Sequence, residues 1–148
     1  MAQVPDARRS RVLLIGAGHV AESMIDAYRA MIPDAGISIW NRSPEAARAL
    51  ADRRAARAVA DPEPAVRDAE IIATATMATS PVLHGEWISP GTHVDLIGAY
   101  RPDMREGDDE LLRRARLMRR ARLGRLAPPP SAATRCSRRA PSAGARSA

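Results

Sequence analysis

Apolar and polar positions follow two rhythms along this chain, and the two take turns. The run RVLLIG, residues 11–16, is apolar almost without interruption and ends in glycine, the pattern of a strand buried on both faces. After it, Val20, Met24, Ala27, Tyr28 and Met31 recur at helical spacing until Pro33, which predicts an amphipathic helix. GISIWN (36–41) predicts a second strand. Ser43 followed by Pro44 has the form of an N-cap and a first helical position, so a second helix is expected through EAARALADRRA. ARAVA (56–60) predicts a short third strand, and Asp61-Pro62 repeats the capping signal for a third helix ending near Ala69. EIIATAT (70–76) and THVDLIG (92–98) predict the fourth and fifth strands. Between them, PVLHGEWISPG is expected to be a loop with turns at Gly85 and Pro90-Gly91, and DDELLRRARL (108–117) a last helix. Strands alternating with helices predict an α/β fold, a Rossmann-type doubly wound parallel sheet.

Composition changes this picture at the carboxyl end. The pattern fades after Leu117, and residues 118–148 are a mixture of Arg, Ala, Pro and Ser expected to be disordered. Residues 113–148 hold 11 arginines and no acid, whereas residues 1–112 hold 12 arginines against all 17 acids, a balance of −5. The net charge of +6 is thus a property of the tail, and the folded part is mildly acidic. The expected division is an N-terminal extension over 1–10, a nucleotide-binding domain over 11–117 and the basic tail over 118–148. The tail fits either a polyanion-binding segment or GC-rich coding sequence read in a shifted frame. The second is favoured because the preceding helix looks cut off, so a nucleic-acid partner is not expected.

There is no lysine and no phenylalanine. The core must therefore be built from Ala, Val, Ile, Leu and Met, and Schiff-base chemistry on a lysine is excluded. Cys136 is the single cysteine, which excludes an intrachain disulfide and a cysteine zinc cluster. No stretch approaches the ~18 apolar residues of a membrane span, and MAQVPDARRSR has no signal-peptide core. A cytoplasmic protein without a membrane partner is the expectation.

The chemistry centres on Gly16-Ala17-Gly18-His19-Val20-Ala21, which matches G-x-G-x-x-A between a predicted strand and helix. The first glycine serves the tight turn, the second lets the backbone approach a pyrophosphate, and the small third residue lets helix and strand pack closely. Exposed N–H groups and the helix dipole then favour phosphates. An NAD site usually places Asp or Glu at the end of the second strand to hold the ribose 2′-hydroxyl. This chain has Asn41-Arg42-Ser43 there. Arg42 can pair with a 2′-phosphate, and Asn41 and Ser43 can donate to it. NADP(H) is therefore preferred as cofactor, with NAD(H) the alternative. Thr74, Ala75, Thr76 and Gly98 end the fourth and fifth strands, where open α/β sheets hold their ligands, and are further candidates to line the cofactor. The alternative for Thr74 and Thr76 is β-branched filling of a strand.

Four segments carry a family resemblance: VLLIGAGHVAES, NRSPEAARAL, DAEIIATATMATSPVLHGEWISPGTHVDLIGAYRPDMRE and DDELLRRARL. Over about residues 11–117 they resemble the nucleotide-binding half of the ornithine cyclodeaminase/mu-crystallin family. The resemblance implies an NAD(P)-dependent enzyme of amino-acid or cyclic-imine chemistry, usually a homodimer. Two branches come into question: ketimine reductases acting on substrates such as Δ1-pyrroline-2-carboxylate, and cyclodeaminases converting ornithine to proline and ammonia.

Two departures bear on the choice. Cyclodeaminases carry a catalytic acid after the glycine pair of the fifth strand, but here Gly98-Ala99 is followed by Tyr100. A phenol is a poor base and can donate a proton or hydrogen bond, so Tyr100 is the candidate catalytic residue of an imine reductase or else a pocket wall. The family's substrate-binding region also precedes the dinucleotide fold, and its closing segment follows. This chain starts ten residues before its first strand, so it is expected to bind cofactor and to lack the substrate half. No metal is expected. His84 and His93 have no companions at ligand spacing, and His19 is expected to act through its backbone. Glu86 and Trp87 are expected to be structural, and Asp95 to end a strand or face solvent. Asp103, Glu106, Asp108 and Asp109 are expected to cap the last helix together.

Overall fold

The computed structural model describes residues 10–115. The tail and N-terminal expectations, and Cys136, lie outside the described residues. Five strands form one parallel sheet in the order β3-β2-β1-β4-β5, as β1 (Arg11–Ile15), β2 (Gly36–Trp40), β3 (Arg57–Ala58), β4 (Ile71–Thr74) and β5 (His93–Leu96). Helices α1 (His19–Met31), α2 (Pro44–Arg53) and α3 (Pro62–Asp68) connect them in turn. A 3₁₀ turn (Gly85–Trp87) lies between β4 and β5, and α4 (Asp109–Arg114) follows β5. Strand order reverses at β1, with β2 on one side and β4 on the other, the switch point at which such sheets bind ligands. This is the doubly wound α/β arrangement that the alternating pattern predicts.

The uninterrupted apolar run of β1 is explained by burial on both sides. Val12 and Leu14 face Ile25 of α1 and Leu50 of α2, together with Ile37, Ile39 and Ala73. Leu13 and Ile15 face Val66 of α3, Ile72, Leu83 and Leu111 of α4. Each side chain of this size, fully buried, contributes about 1.5–3 kcal/mol. The side chains are aliphatic, as a chain without phenylalanine requires.

Helix starts follow the caps read from the sequence. Ser43 Oγ accepts from Ala46 N at 3.3 Å, and Asp61 accepts from Glu63 N at 3.1 Å. Asp108 accepts from Leu111 N at 2.8 Å. The third strand is shorter than expected, two residues instead of 56–60. Ala55 takes φ 45°, a left-handed turn out of α2, and β3 is an edge strand whose pairs are Ser38 with Arg57 and Ile39 with Ala58. Among the described residues no helix is long and apolar enough to cross a membrane.

Candidate functional site

The carboxyl ends of β1, β2, β4 and β5 open into a cleft of about 980 Å³. Gly16 makes its floor. It turns out of β1 at φ +124°, and its N–H donates to Trp40 O at 2.8 Å. A Cβ there would stand 2.5 Å from Ala75 O, so both conformation and space demand glycine. Gly18 differs. It caps α1 in an extended conformation (φ −87°), and a Cβ would meet nothing within 4 Å because it would project into open space. Ala21, 1% exposed, packs under the helix against the sheet, as the small third position of the motif requires. No side chain caps α1. The N–H groups of its first three residues, before the Glu22 N–H bond to Gly18 O, are left without an intrahelical partner at the cleft end, where Ala17, His19 and Val20 line it.

Asn41, Arg42 and Ser43 line the β2 end of the cleft. Asn41 Nδ2 donates to Ser43 O at 3.2 Å, which curls the backbone into α2. Arg42 is exposed. Ser43 Oγ, besides capping α2, donates to Glu45 Oε2 at 3.0 Å. Hydrogen bonds from its own backbone N–H and from Ser43 hold the Glu45 carboxyl below its ordinary range. No carboxylate ends β2 in the sequence, yet the first turn of α2 brings one to Ser43.

On the opposite side, Ala75, Thr76, Gly98 and Tyr100 line the cleft. Thr74 does not. Its side chain is fully buried and donates to Glu106 Oε2 at 2.7 Å, so it supports the strand end from below. Tyr100 stands at the rim, 68% exposed, its hydroxyl 3.9 Å from Met77 Sδ. It lies on the same cleft as the glycine turn.

Glu106 is the residue that sequence reasoning missed. It does not cap α4; only Asp108 accepts from that helix's first turn. Asp103 pairs with Arg101 and Asp109 with Arg105. Glu106 is 2% exposed and points the other way, under the cleft. Its Oε1 accepts from Thr76 N at 2.7 Å and Thr76 Oγ1 at 2.8 Å. Its Oε2 accepts from Thr74 Oγ1 and from Gly98 N at 2.8 Å. The one local signal is alternation: Met104 and Glu106 are buried while Arg105 between them is exposed.

The remaining polar residues hold the frame. His84 Nδ1 lies 3.2 Å from Asp108 Oδ2, with its ring edge-on to Trp87, which fastens the 84–88 loop to α4. Burial works to raise the Asp108 carboxyl, but the N–H groups of Leu111 and Gly85 together with His84 outweigh it and leave it below its ordinary range. Tyr28 donates to Asp95 at 3.1 Å; burial first, and then the Asp95 carboxylate, push its hydroxyl up to about 12. Asp95 also meets His93. Among the described residues no three His, Cys, Asp or Glu side chains form a metal-holding group. A second recess, about 620 Å³, is lined by the first residues of β1 and β2 and by β3 with the segment after it, beside Arg57, Asp61 and Asp68.

Known proteins share this arrangement. The sequence pattern of the Ornithine cyclodeaminase/mu-crystallin family matches residues 4–123. The chain is 46% identical over 119 residues to a Δ1-pyrroline-2-carboxylate reductase of Paracoccus denitrificans, covering 76% of this chain and 37% of that protein. It is 41% identical over 104 residues to the ketimine reductase mu-crystallin of Mus musculus, covering 69% and 33%. Among solved structures it resembles the Δ1-pyrroline-2-carboxylate reductase of Thermococcus litoralis in complex with NADH and L-proline, at 26% identity and a TM-score of 0.63, covering 71% of this chain and 34% of that one. The chain thus spans about a third of the length of the curated relatives it matches. With a family pattern matched over most of its length, this chain belongs to the ornithine cyclodeaminase/mu-crystallin family.

Proposed function

We propose that residues 11–117 are the nucleotide-binding domain of an NAD(P)H-dependent reductase of a cyclic imino acid, a ketimine of the Δ1-pyrroline-2-carboxylate kind. The observation that carries this reading is the glycine turn. Gly16 is required by the backbone, whereas Gly18 leaves open the space that a pyrophosphate needs. The uncapped first turn of α1 supplies N–H donors there. Reductases of such imines among the relatives support the substrate class. Tyr100, standing where the cyclodeaminase branch has an acid, favours imine reduction over cyclodeamination.

In this reading Ala17, His19 and Val20 cradle the pyrophosphate by their backbone, and Asn41, Arg42 and Ser43 hold the adenosine ribose. Ala75, Thr76 and Gly98 line the nicotinamide half. When bound, the nicotinamide supplies the hydride. Tyr100 at the rim is the proton or hydrogen-bond donor to the imine. NADP(H) is preferred to NAD(H) because Arg42 offers a planar cation to a 2′-phosphate. Glu45 tempers that preference, since it holds the Ser43 hydroxyl by a hydrogen bond that the phosphate would have to replace. The thermococcal relative is described with NADH, so the phosphate preference rests on the side chains after β2, Arg42 first among them, and not on that relative. Fluorescence titration of the chain with NADPH and NADH tests the reading. Saturable binding of both, tighter for NADPH, is expected; no binding of either by the folded chain refutes it.

A further inference from the structure

Glu106 is fully satisfied and nearly inaccessible, and among the described residues no cation pairs with it: its partners are two backbone N–H groups and two threonine hydroxyls. Those donors come from two different strand ends. Thr74 and Thr76 bracket the exit of β4, and Gly98 follows β5. The backbone of Glu106 binds a third segment, its carbonyl accepting from Val82 N and Leu83 N, both at 2.9 Å. One residue thus ties the ends of two adjacent strands and the loop after β4 into a single wall. The fit is close. A Cβ on Gly98 would stand 2.0 Å from Thr76 O and 2.4 Å from Glu106 Oε1.

That wall belongs to one half of the cleft. The adenosine ribose of a dinucleotide sits at the end of β2, and the pyrophosphate at the turn after β1. The sheet order then places the other half of the molecule over β4 and β5, where Thr76 and Gly98 line the cleft. We propose that Glu106 is a positioning residue for the nicotinamide half of the cofactor: its carboxylate fixes the Thr76 and Gly98 backbones that form that wall, and it never touches the ligand. The inference rests on the dinucleotide reading of the cleft. A carboxylate is suited to this because both of its oxygens accept. An amide would set its NH2 against the N–H of Thr76 or of Gly98, two donors face to face, and the wall would part on that side.

The test compares two nucleotides on the full chain, NADPH and 2′-phospho-ADP-ribose, which lacks only the nicotinamide. In the Glu106→Gln variant NADPH affinity should fall by about tenfold or more, ~1.4 kcal/mol. The affinity for 2′-phospho-ADP-ribose should stay within about twofold, less than ~0.5 kcal/mol. A merely structural role predicts equal losses for both, and equal losses overturn the proposal. So does a variant that binds both like the native chain. A native chain that binds neither overturns the cofactor reading itself, and the inference with it. If circular dichroism shows Glu106→Gln unfolded, Thr74→Val removes one bond to Oε2 from outside the cleft, and the same selective loss is expected on a smaller scale. An unselective loss in that variant, or none, overturns the proposal.

Discussion

The two glycines of the turn make opposite predictions for the same substitution. Gly16→Ala puts a side chain at φ +124°, which costs about 1–3 kcal/mol of backbone strain. It also drives a methyl group to 2.5 Å from Ala75 O, a backbone atom just past the end of β4 whose N–H is tied to Ile15 O, at about 1–3 kcal/mol more. The sum, roughly 2–6 kcal/mol, is a large part of the 5–15 kcal/mol that stabilises an ordinary domain. A drop of about 10 °C or more in midpoint is expected. Gly18→Ala meets neither obstacle. Its φ of −87° suits any residue, and its Cβ has no neighbour within 4 Å. Alanine is a poorer N-cap by about 0.5–1 kcal/mol, and it restricts the unfolded chain by about 0.4–1 kcal/mol. The two nearly cancel, so the midpoint should move by less than about 3 °C. The new methyl group would nevertheless stand where a pyrophosphate must approach, and NADPH affinity should fall by about tenfold or more. Thermal unfolding followed by circular dichroism, together with fluorescence titration, reads both effects. A Gly18→Ala protein that binds NADPH like the native chain, or one that melts as early as Gly16→Ala, would refute this account of the turn.

Three further outcomes are expected. Arg42→Ala should weaken NADPH binding by about 1–2 kcal/mol and leave NADH nearly unchanged, while Glu45→Gln, which leaves Ser43 freer to turn to a phosphate, should shift the preference further toward NADPH; paired titrations decide, and equal effects on both nucleotides would remove the basis for the phosphate preference. Asp108→Asn should cost about 0.3–1 kcal/mol at neutral pH: the amide oxygen still accepts from Leu111 N and Gly85 N, but the negative charge at the start of α4 and beside His84 is lost. Because the folded carboxyl titrates below its ordinary value, that stabilisation is complete above about pH 4 and is lost as pH falls through the folded value. Unfolding of native and variant chains should therefore converge in acid, and a gap independent of pH would contradict the role of the carboxylate. Ultraviolet titration should show a tyrosine ionising at about 12, and Tyr28→Phe should abolish that phase. The raised value means that the Tyr28–Asp95 contact contributes fully below about pH 10 and is lost as pH rises toward 12.

The parts of this structure legible in the sequence are those fixed by neighbours along the chain. Burial of β1 on both faces follows from its unbroken apolar run, and the caps at Ser43, Asp61 and Asp108 follow from a polar residue set just before a helical pattern. The glycine turn was legible because conformation and spacing are written into six consecutive residues. Where distant segments decide, the sequence is silent. Glu106 reads as one acid among several before α4, yet it binds Thr74, which lies 32 residues away. Thr74 has the look of a cleft residue, but the strand's pleat turns it to that buried carboxylate. Glu45 stands in the first turn of α2, and only the fold of the cap shows that it takes the Ser43 hydroxyl.

Amide-resolved magnetic resonance of the full chain, titrated with NADPH, tests the central claim most directly. A dinucleotide cleft predicts shifts that saturate and cluster at Gly16–Val20, Asn41–Ser43, Thr76 and Gly98. A folded chain that shows no shifts, or shifts centred on the recess beside Arg57 and Asp61, would contradict it.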